Sequence, residues 1–133
     1  MEQYIGTKII QAEPQSRDGK EGYRVLYPDG YVSWSPKAAF EEAYRRTDGM
    51  SFGLAIEAAK KGKKIARAGW NGKNQHVELA SAISYTSPGG EVVNADHEAI
   101  GNQALAFVGT SGVQMGWLAS QADMLADDWM IVE

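Results

Sequence analysis

The sequence predicts an α+β fold, in which a small antiparallel sheet packs with two or three short helices. Two hairpin turn signals, Pro28-Asp29-Gly30 and Asn71-Gly72, each lie between short segments rich in strand-forming residues. Two serines, Ser51 and Ser120, each precede a stretch that suits a capped helix. Hairpins and capped helices in one short chain therefore indicate an antiparallel sheet with helices packed on it.

The first part of the chain predicts a strand, a hairpin and a helix. Tyr4–Ala12 has the composition of a strand, and a polar loop follows it. Tyr23–Tyr27 and Tyr31–Trp34 flank the Pro-Asp-Gly turn and form the predicted hairpin. Ser35 stands before a proline and predicts a helix N-cap, and we expect this helix to end near Thr47.

A second unit begins after Asp48-Gly49 with a helix that Ser51 caps and Gly62 ends. The apolar face of this helix consists of Phe52, Ala55, Ile56 and Ala59. We expect the remaining elements to be strands at Lys64–Trp70, His76–Ala80, Leu105–Val108, Val113–Leu118 and Trp129–Val132, and a helix at about Gln121–Ala126.

Composition is that of an ordinary folded protein and excludes several functional classes. Hydrophobic residues make up 44% and charged residues 23% of the chain. No apolar run approaches the roughly 20 residues that span a bilayer, so we expect no membrane role. The net charge of −4 and the pI near 5.2 argue against DNA or RNA as partner. The absence of cysteine and of signal-peptide features in the first residues suits the cytoplasm.

Charge is unevenly distributed along the sequence. All 13 Lys and Arg residues lie at or before Lys73, and eight acidic residues follow it. The densest basic patch contains Lys60, Lys61, Lys63, Lys64, Arg67 and Lys73. Such a patch attracts phosphate groups, but lysines also complement the dipole at the end of a helix. Both interpretations remain open for this patch.

Signatures of catalysis and metal binding are missing from the sequence. The standard phosphate-binding loops and the nucleophile elbow are absent, and His76 and His97 lack partners at metal-binding spacing. Asp123 and Asp127 lie one helical turn apart, as an acid/base pair does. A structural interpretation explains these residues better: Asp123 forms a capping box with Ser120, and Asp127 and Asp128 are surface charges near a helix end. We therefore expect a protein without catalytic residues, metal or cofactor.

Aromatic residues beside polar turns point to binding instead. Phe52, Trp70, Trp117 and Trp129 all neighbour polar or glycine-rich residues. Aromatic faces of this kind stack on nucleotide bases, and each stacked base contributes about 1–3 kcal/mol. The alternative is that all four rings belong to the hydrophobic core.

Two long stretches of sequence resemble a known family. Met50–Lys73 is MSFGLAIEAAKKGKKIARAGWNGK, and Trp117–Trp129 is WLASQADMLADDW. They are similar to the opening and closing signatures of the Thoeris anti-defence protein 2 family of phages. The resemblance implies a family core at residues 50–133 and an N-terminal extension at residues 1–49.

The resemblance also implies a function. Members of this family are non-enzymatic homotetramers that sequester cyclic ADP-ribose isomers of Thoeris immunity in the host cytoplasm. Some relatives also hold cyclic di- or trinucleotides of CBASS systems at separate sites. The ligand-binding residues expected here are Phe52, Trp70, Asn71, Lys73, Trp117, Ser120 and Asp123. The alternatives are a phage structural or accessory interaction protein with no small ligand, and an enzyme that degrades the same signals.

Overall fold

The computed structural model describes residues 1–70, 75–96 and 101–132. The chain divides into two compact units, Met1–Arg46 and Thr47–Glu133. Both contain helices and antiparallel strands, so the predicted α+β class is confirmed. Within the described ranges, no helix is long and apolar enough to cross a membrane.

The N-terminal unit is a three-stranded antiparallel sheet followed by one helix. The sheet has the order β1-β2-β3, and the predicted hairpin is confirmed. Its turn uses Gly30 at a φ of 90°, which favours glycine, while Asp29 accepts a hydrogen bond from the Tyr31 N–H at 3.0 Å. The elements are β1 (Gln11–Pro14), β2 (Gly22–Leu26), β3 (Val32–Pro36) and α1 (Lys37–Ala43).

Two expectations for this unit are wrong. The predicted strand at Tyr4–Ala12 begins only at Gln11, because the preceding residues have no strand of this chain beside them. Ser35 is not the N-cap of α1, because it belongs to β3 in register with Tyr23. The N-cap residue is Pro36, without a side-chain cap, and α1 ends at Ala43 instead of near Thr47.

The second unit is built on a five-stranded antiparallel sheet of order β10-β4-β5-β8-β9. A two-stranded ribbon, β6-β7, lies between β5 and β8 along the chain. The elements are α2 (Phe52–Lys60), β4 (Lys64–Arg67), β5 (His76–Ala80), β6 (Tyr85–Thr86), β7 (Val92–Val93), β8 (Ala104–Gly109), β9 (Gly112–Met115), α3 (Gln121–Met124) and β10 (Trp129–Val132). The predicted strands at β5, β8 and β10 are confirmed, whereas β4 and β9 end three residues earlier than expected.

Helix α2 forms where local sequence predicted it. The Ser51 hydroxyl accepts a hydrogen bond from the Leu54 N–H at 3.3 Å, as an N-cap does. Gly62 follows the last turn at a φ of 86°. The helix buries its small residues Ala55, Ala58 and Ala59 against the sheet, next to Ile65 and Val77.

The strand register separates the sheet into two faces. Ile65 pairs with Val77, and Val77 pairs with Phe107, so these side chains share the face that α2 covers. We call this the aromatic face. His76 and Glu78 alternate with Val77 and therefore lie on the opposite face, which we call the polar face.

Candidate functional site

Five aromatic rings pack together on the aromatic face. The Trp70 ring centroid lies 5.5 Å from those of Phe107 and Trp129, and 5.9 Å from that of Trp117. Phe52 reaches the group through Trp129, at a centroid distance of 5.1 Å. Most of these pairs are tilted or edge-to-face, which is a favourable arrangement for aromatic quadrupoles. We call the five rings the aromatic cluster.

Burial differs sharply within the aromatic cluster. Trp129 has a relative exposure of 0%, and its indole N–H donates to the Asp123 carbonyl oxygen at 2.8 Å. Phe52, Trp70, Phe107 and Trp117 are only half buried. Trp129 is therefore the core of the cluster, and the other four rings retain surface that a ligand or another protein can cover.

A capping box fixes the polar segment next to the cluster. The Ser120 hydroxyl accepts from the Asp123 N–H at 3.1 Å, and the Asp123 carboxylate accepts from the Ser120 N–H at 3.0 Å. The predicted Ser-x-x-Asp start of α3 is thus confirmed. Trp117 and Trp129 flank this segment, so the box helps to hold both indoles in place.

Arg67 ties the same segment to the sheet. Its guanidinium donates to Asp128 at 2.9 Å and to Asp123 at 3.1 Å, and it is 26% exposed. These hydrogen bonds, to Asp128 first and Asp123 second, raise the pKa of Arg67. Burial acts to raise the pKa of Asp123, but the Ser120 N–H and Arg67 outweigh it and the pKa is lowered.

The structure brings together most of the predicted site residues that it describes. Phe52, Trp70 and Trp117 belong to the aromatic cluster. Ser120 and Asp123 lie at its edge, with their polar groups engaged within the chain. Asn71 and Lys73, together with the predicted Asn71-Gly72 turn, lie outside the described residues.

Sequence reasoning missed two members of this region. Phe107 was assigned only to a strand, although its alternation with Ala106 would have placed it on the same face as Leu105. Arg67 was grouped with the basic patch, whereas the structure pairs it with two carboxylates. That pairing spans 56 residues, so local sequence gave no signal for it.

A hydrogen-bonded network occupies the polar face. Glu78 is 1% exposed, and its carboxylate accepts from the Tyr85 hydroxyl at 2.7 Å and from the Ser87 hydroxyl at 3.3 Å. His76 Nε2 lies 2.6 Å from the same carboxylate. Burial and the Glu78 contact raise the pKa of Tyr85. The network holds β6 against β5.

Other features of the described chain offer less for ligand binding. An open cleft of about 310 Å³ in the N-terminal unit is bordered by Glu21 and Lys37, which pair with each other at 3.5 Å. Across residues 1–70, 75–96 and 101–132, no three His, Cys, Asp or Glu side chains are placed to hold a metal ion.

Comparison with known proteins identifies the family of this chain. Residues 50–132 match the sequence model of the Thoeris anti-defense 2-like domain. The chain belongs to this family. Thoeris anti-defense 2 of Bacillus phage SP01 is 40% identical over 88 residues, which cover 62% of this chain and 94% of that relative. The resemblance drawn from the Met50–Lys73 and Trp117–Trp129 sequences is therefore confirmed, and the aromatic cluster lies within the family domain.

Proposed function

We propose that this chain is a phage anti-defence protein that sequesters cyclic nucleotide immune signals in the host cytoplasm without degrading them. Membership of the Thoeris anti-defense 2-like domain family is the observation that carries the proposal. The phage relative, whose name is Thoeris anti-defense 2, supports the same role. Cyclic ADP-ribose isomers are the principal ligands proposed, and cyclic di- or trinucleotides of CBASS systems are further candidates.

The aromatic cluster supports recognition of a base. Trp70 and Trp117 are half buried and already oriented by edge-to-face contacts with each other and with Trp129. Rings held in this way lose little conformational freedom when a base stacks on them. Phe107 contacts both of these rings, and Phe52 contacts Trp129, so both phenylalanines add to the same apolar cluster.

The charges near the cluster constrain how phosphates bind. Arg67 is paired with both Asp123 and Asp128, so its charge is largely neutralised before any ligand arrives. A doubly charged nucleotide therefore needs another cation. We assign that role to Lys73, with Asn71 supplying hydrogen bonds to the base edge.

We also propose a homotetramer. Leu118 and Leu125 lie on either side of α3 and are 89% and 78% exposed. Both side chains are free to be buried in a contact with another subunit, which would remove their apolar surface from water. Subunit contacts at this segment would enclose more of a ligand than one chain of this size does alone.

The carboxylates of the region favour retention of the ligand over turnover. Asp123 is held by Arg67 and by the Ser120 N–H, and its lowered pKa keeps it ionised rather than ready to donate a proton. Glu78 faces the opposite side of the sheet, inside the polar network. Neither group is placed as an acid or base beside Trp70.

The test is ligand binding by the full chain and by Trp70→Ala, measured by calorimetry together with melting temperature. A cyclic ADP-ribose isomer at about 100 times its dissociation constant stabilises the fold by about 2.7 kcal/mol. We expect Trp70→Ala to bind about 5- to 150-fold more weakly if one stacked base is lost. Trp34→Ala, in the N-terminal unit, is the matched control and is expected to retain full affinity.

Lys73→Ala tests the contribution of charge to ligand affinity separately from the contribution of aromatic stacking. If Lys73 faces the phosphates, this change lowers affinity more at low salt than at high salt, because salt already screens the lysine. Melting curves of the wild-type protein that do not move with any cyclic ADP-ribose isomer or cyclic dinucleotide would overturn the proposal. They would favour the alternative, a phage structural or accessory protein whose exposed leucines bind a protein partner.

A further inference from the structure

The residues before β1 have the composition of a strand but no strand partner in their own chain. The sequence of Tyr4–Ile10 is YIGTKII, with three isoleucines, a tyrosine and a threonine. Ile5 is 101% exposed and Tyr4 is 91% exposed, so neither side chain packs on its own protomer. We call Tyr4–Ile10 the arm.

The arm adjoins a free sheet edge. In the N-terminal unit, whose residues are all described, β1 pairs with β2 on one side and no strand lies on the other. All four β1 residues are exposed. An unpaired edge presents a row of backbone N–H and C=O groups that can accept another strand.

The N-terminal unit also has little core of its own. Val25 is the one apolar side chain of Met1–Arg46 among the fully buried core residues. A unit of this size without disulfides usually gains stability from association. Burial of Ile5, Tyr4 and the β1 edge in a contact with another protein chain would supply this stability.

We propose that the arm of a second copy of this chain adds to the free edge of β1, antiparallel to it, and that the exchange is reciprocal. Each copy carries both the unpaired strand and the free edge, so a two-fold axis satisfies both at once. The two three-stranded sheets then form one continuous sheet. The family match begins at Met50, so this contact lies outside the family domain.

Charge and shape select a register for the pairing. In its own chain, Lys8 of the arm lies over the Tyr27 ring at 4.4 Å, and Glu13 of β1 pairs with the exposed Arg24 at 3.8 Å. Antiparallel pairing of Lys8 with Glu13 of the other copy adds an opposite charge to this exposed pair. This register places Ile5 opposite Ser16. Ser16 and Pro14 border the cleft of about 310 Å³, which has room for the isoleucine side chain.

Cysteine cross-linking tests this register in the full chain, which has no native cysteine. Lys8→Cys and Glu13→Cys proteins, mixed under mild oxidation, are expected to form a mixed disulfide dimer. Lys8→Cys with Val32→Cys, on the opposite edge strand β3, is the control and is expected not to cross-link. Equal cross-linking in both mixtures, or none in either, overturns the proposal.

Sedimentation across a concentration series tests the contribution of Ile5. Because Ile5 makes no contact in its own protomer, Ile5→Asp leaves the fold intact and is expected to weaken this association about tenfold or more. Val92→Asp changes an exposed apolar residue of the second unit, away from the arm in sequence, and is expected to associate like the wild type. Unchanged association of Ile5→Asp overturns the proposal. Nucleotide affinity is expected to be the same in both variants, so the result does not depend on the proposed function.

Discussion

The two faces of the five-stranded sheet use their buried polar groups differently. On the polar face, the Glu78 carboxylate is surrounded by Tyr85, Ser87 and His76, so its hydrogen-bonding capacity is taken up within the chain. On the aromatic face, Trp129 makes one internal hydrogen bond and the rings around it remain half exposed. The polar face therefore stabilises the fold, whereas the half-exposed rings of the aromatic face remain available for contacts outside the chain.

Removal of the buried centre of the aromatic face is expected to destabilise the protein most. Trp129→Ala deletes a fully buried indole and its hydrogen bond, and we expect it to lower the free energy of unfolding by about 3–5 kcal/mol. The loss is measured by chemical denaturation, with unfolding monitored by far-UV circular dichroism. A loss below about 1 kcal/mol would mean that the cluster is not part of the core.

A smaller effect is expected on the polar face. Tyr85→Phe keeps the ring but removes one donor to Glu78, and we expect a loss of about 1–3 kcal/mol in stability. Tyr31→Phe, at a residue that is 64% exposed, is the control and should change little. Nucleotide affinity of folded Tyr85→Phe is expected to equal that of the wild type. Impaired binding would place the ligand on the polar face.

Two helix caps offer a matched pair. Ser120→Ala and Ser51→Ala each remove an N-cap hydroxyl, and each is expected to lower stability by about 1 kcal/mol. We expect only Ser120→Ala to weaken nucleotide binding, because Ser120 lies beside Trp117 and anchors Asp123. Equal nucleotide affinity in the two variants would show that the α3 segment is not part of the binding site.

The smallest effect is a pH dependence at the edge of the aromatic face. The folded pKa of Asp123 is lowered, so its ionised form adds stability above the unfolded pKa of about 3.9, and this is lost as the pH falls through the folded value. Asp123→Asn should therefore be less stable than the wild type at neutral pH, with the gap closing below about pH 4. Asp127→Asn, at an exposed residue, is the control. A gap that stays constant to low pH would contradict the assigned role of Asp123.

Local sequence predicted the features that depend on neighbouring residues. The caps at Ser51 and Ser120 and the Pro28-Asp29-Gly30 turn all arise from contacts within a few residues, and all three formed as expected. Ser35 shows the limit of this reasoning. Its sequence context suits an N-cap, but pairing with Tyr23 extends β3 through it.

Contacts that depend on how the secondary-structure elements pack on one another could not be predicted from the sequence. The Arg67–Asp123 ion pair joins residues 56 positions apart and requires β4 to lie near α3. Glu78 and Tyr85 are only seven residues apart, but their contact requires the β6 segment to fold over β5. The spacing of His76 and Glu78 did carry a signal, since residues two apart in a strand share a face. The sequence named four rings of the aromatic cluster and missed Phe107. The strand register determined that Trp129 is the buried one.

Sequestration without turnover is tested by capture and release of a nucleotide. The protein is incubated with a cyclic ADP-ribose isomer, filtered to remove unbound ligand, and then denatured by heat, and the released nucleotide is identified by mass spectrometry. Sequestration predicts that the filtrate is depleted of ligand and that heating returns the ligand intact. A converted nucleotide would identify an enzyme, and a filtrate that keeps all of its ligand would contradict binding altogether.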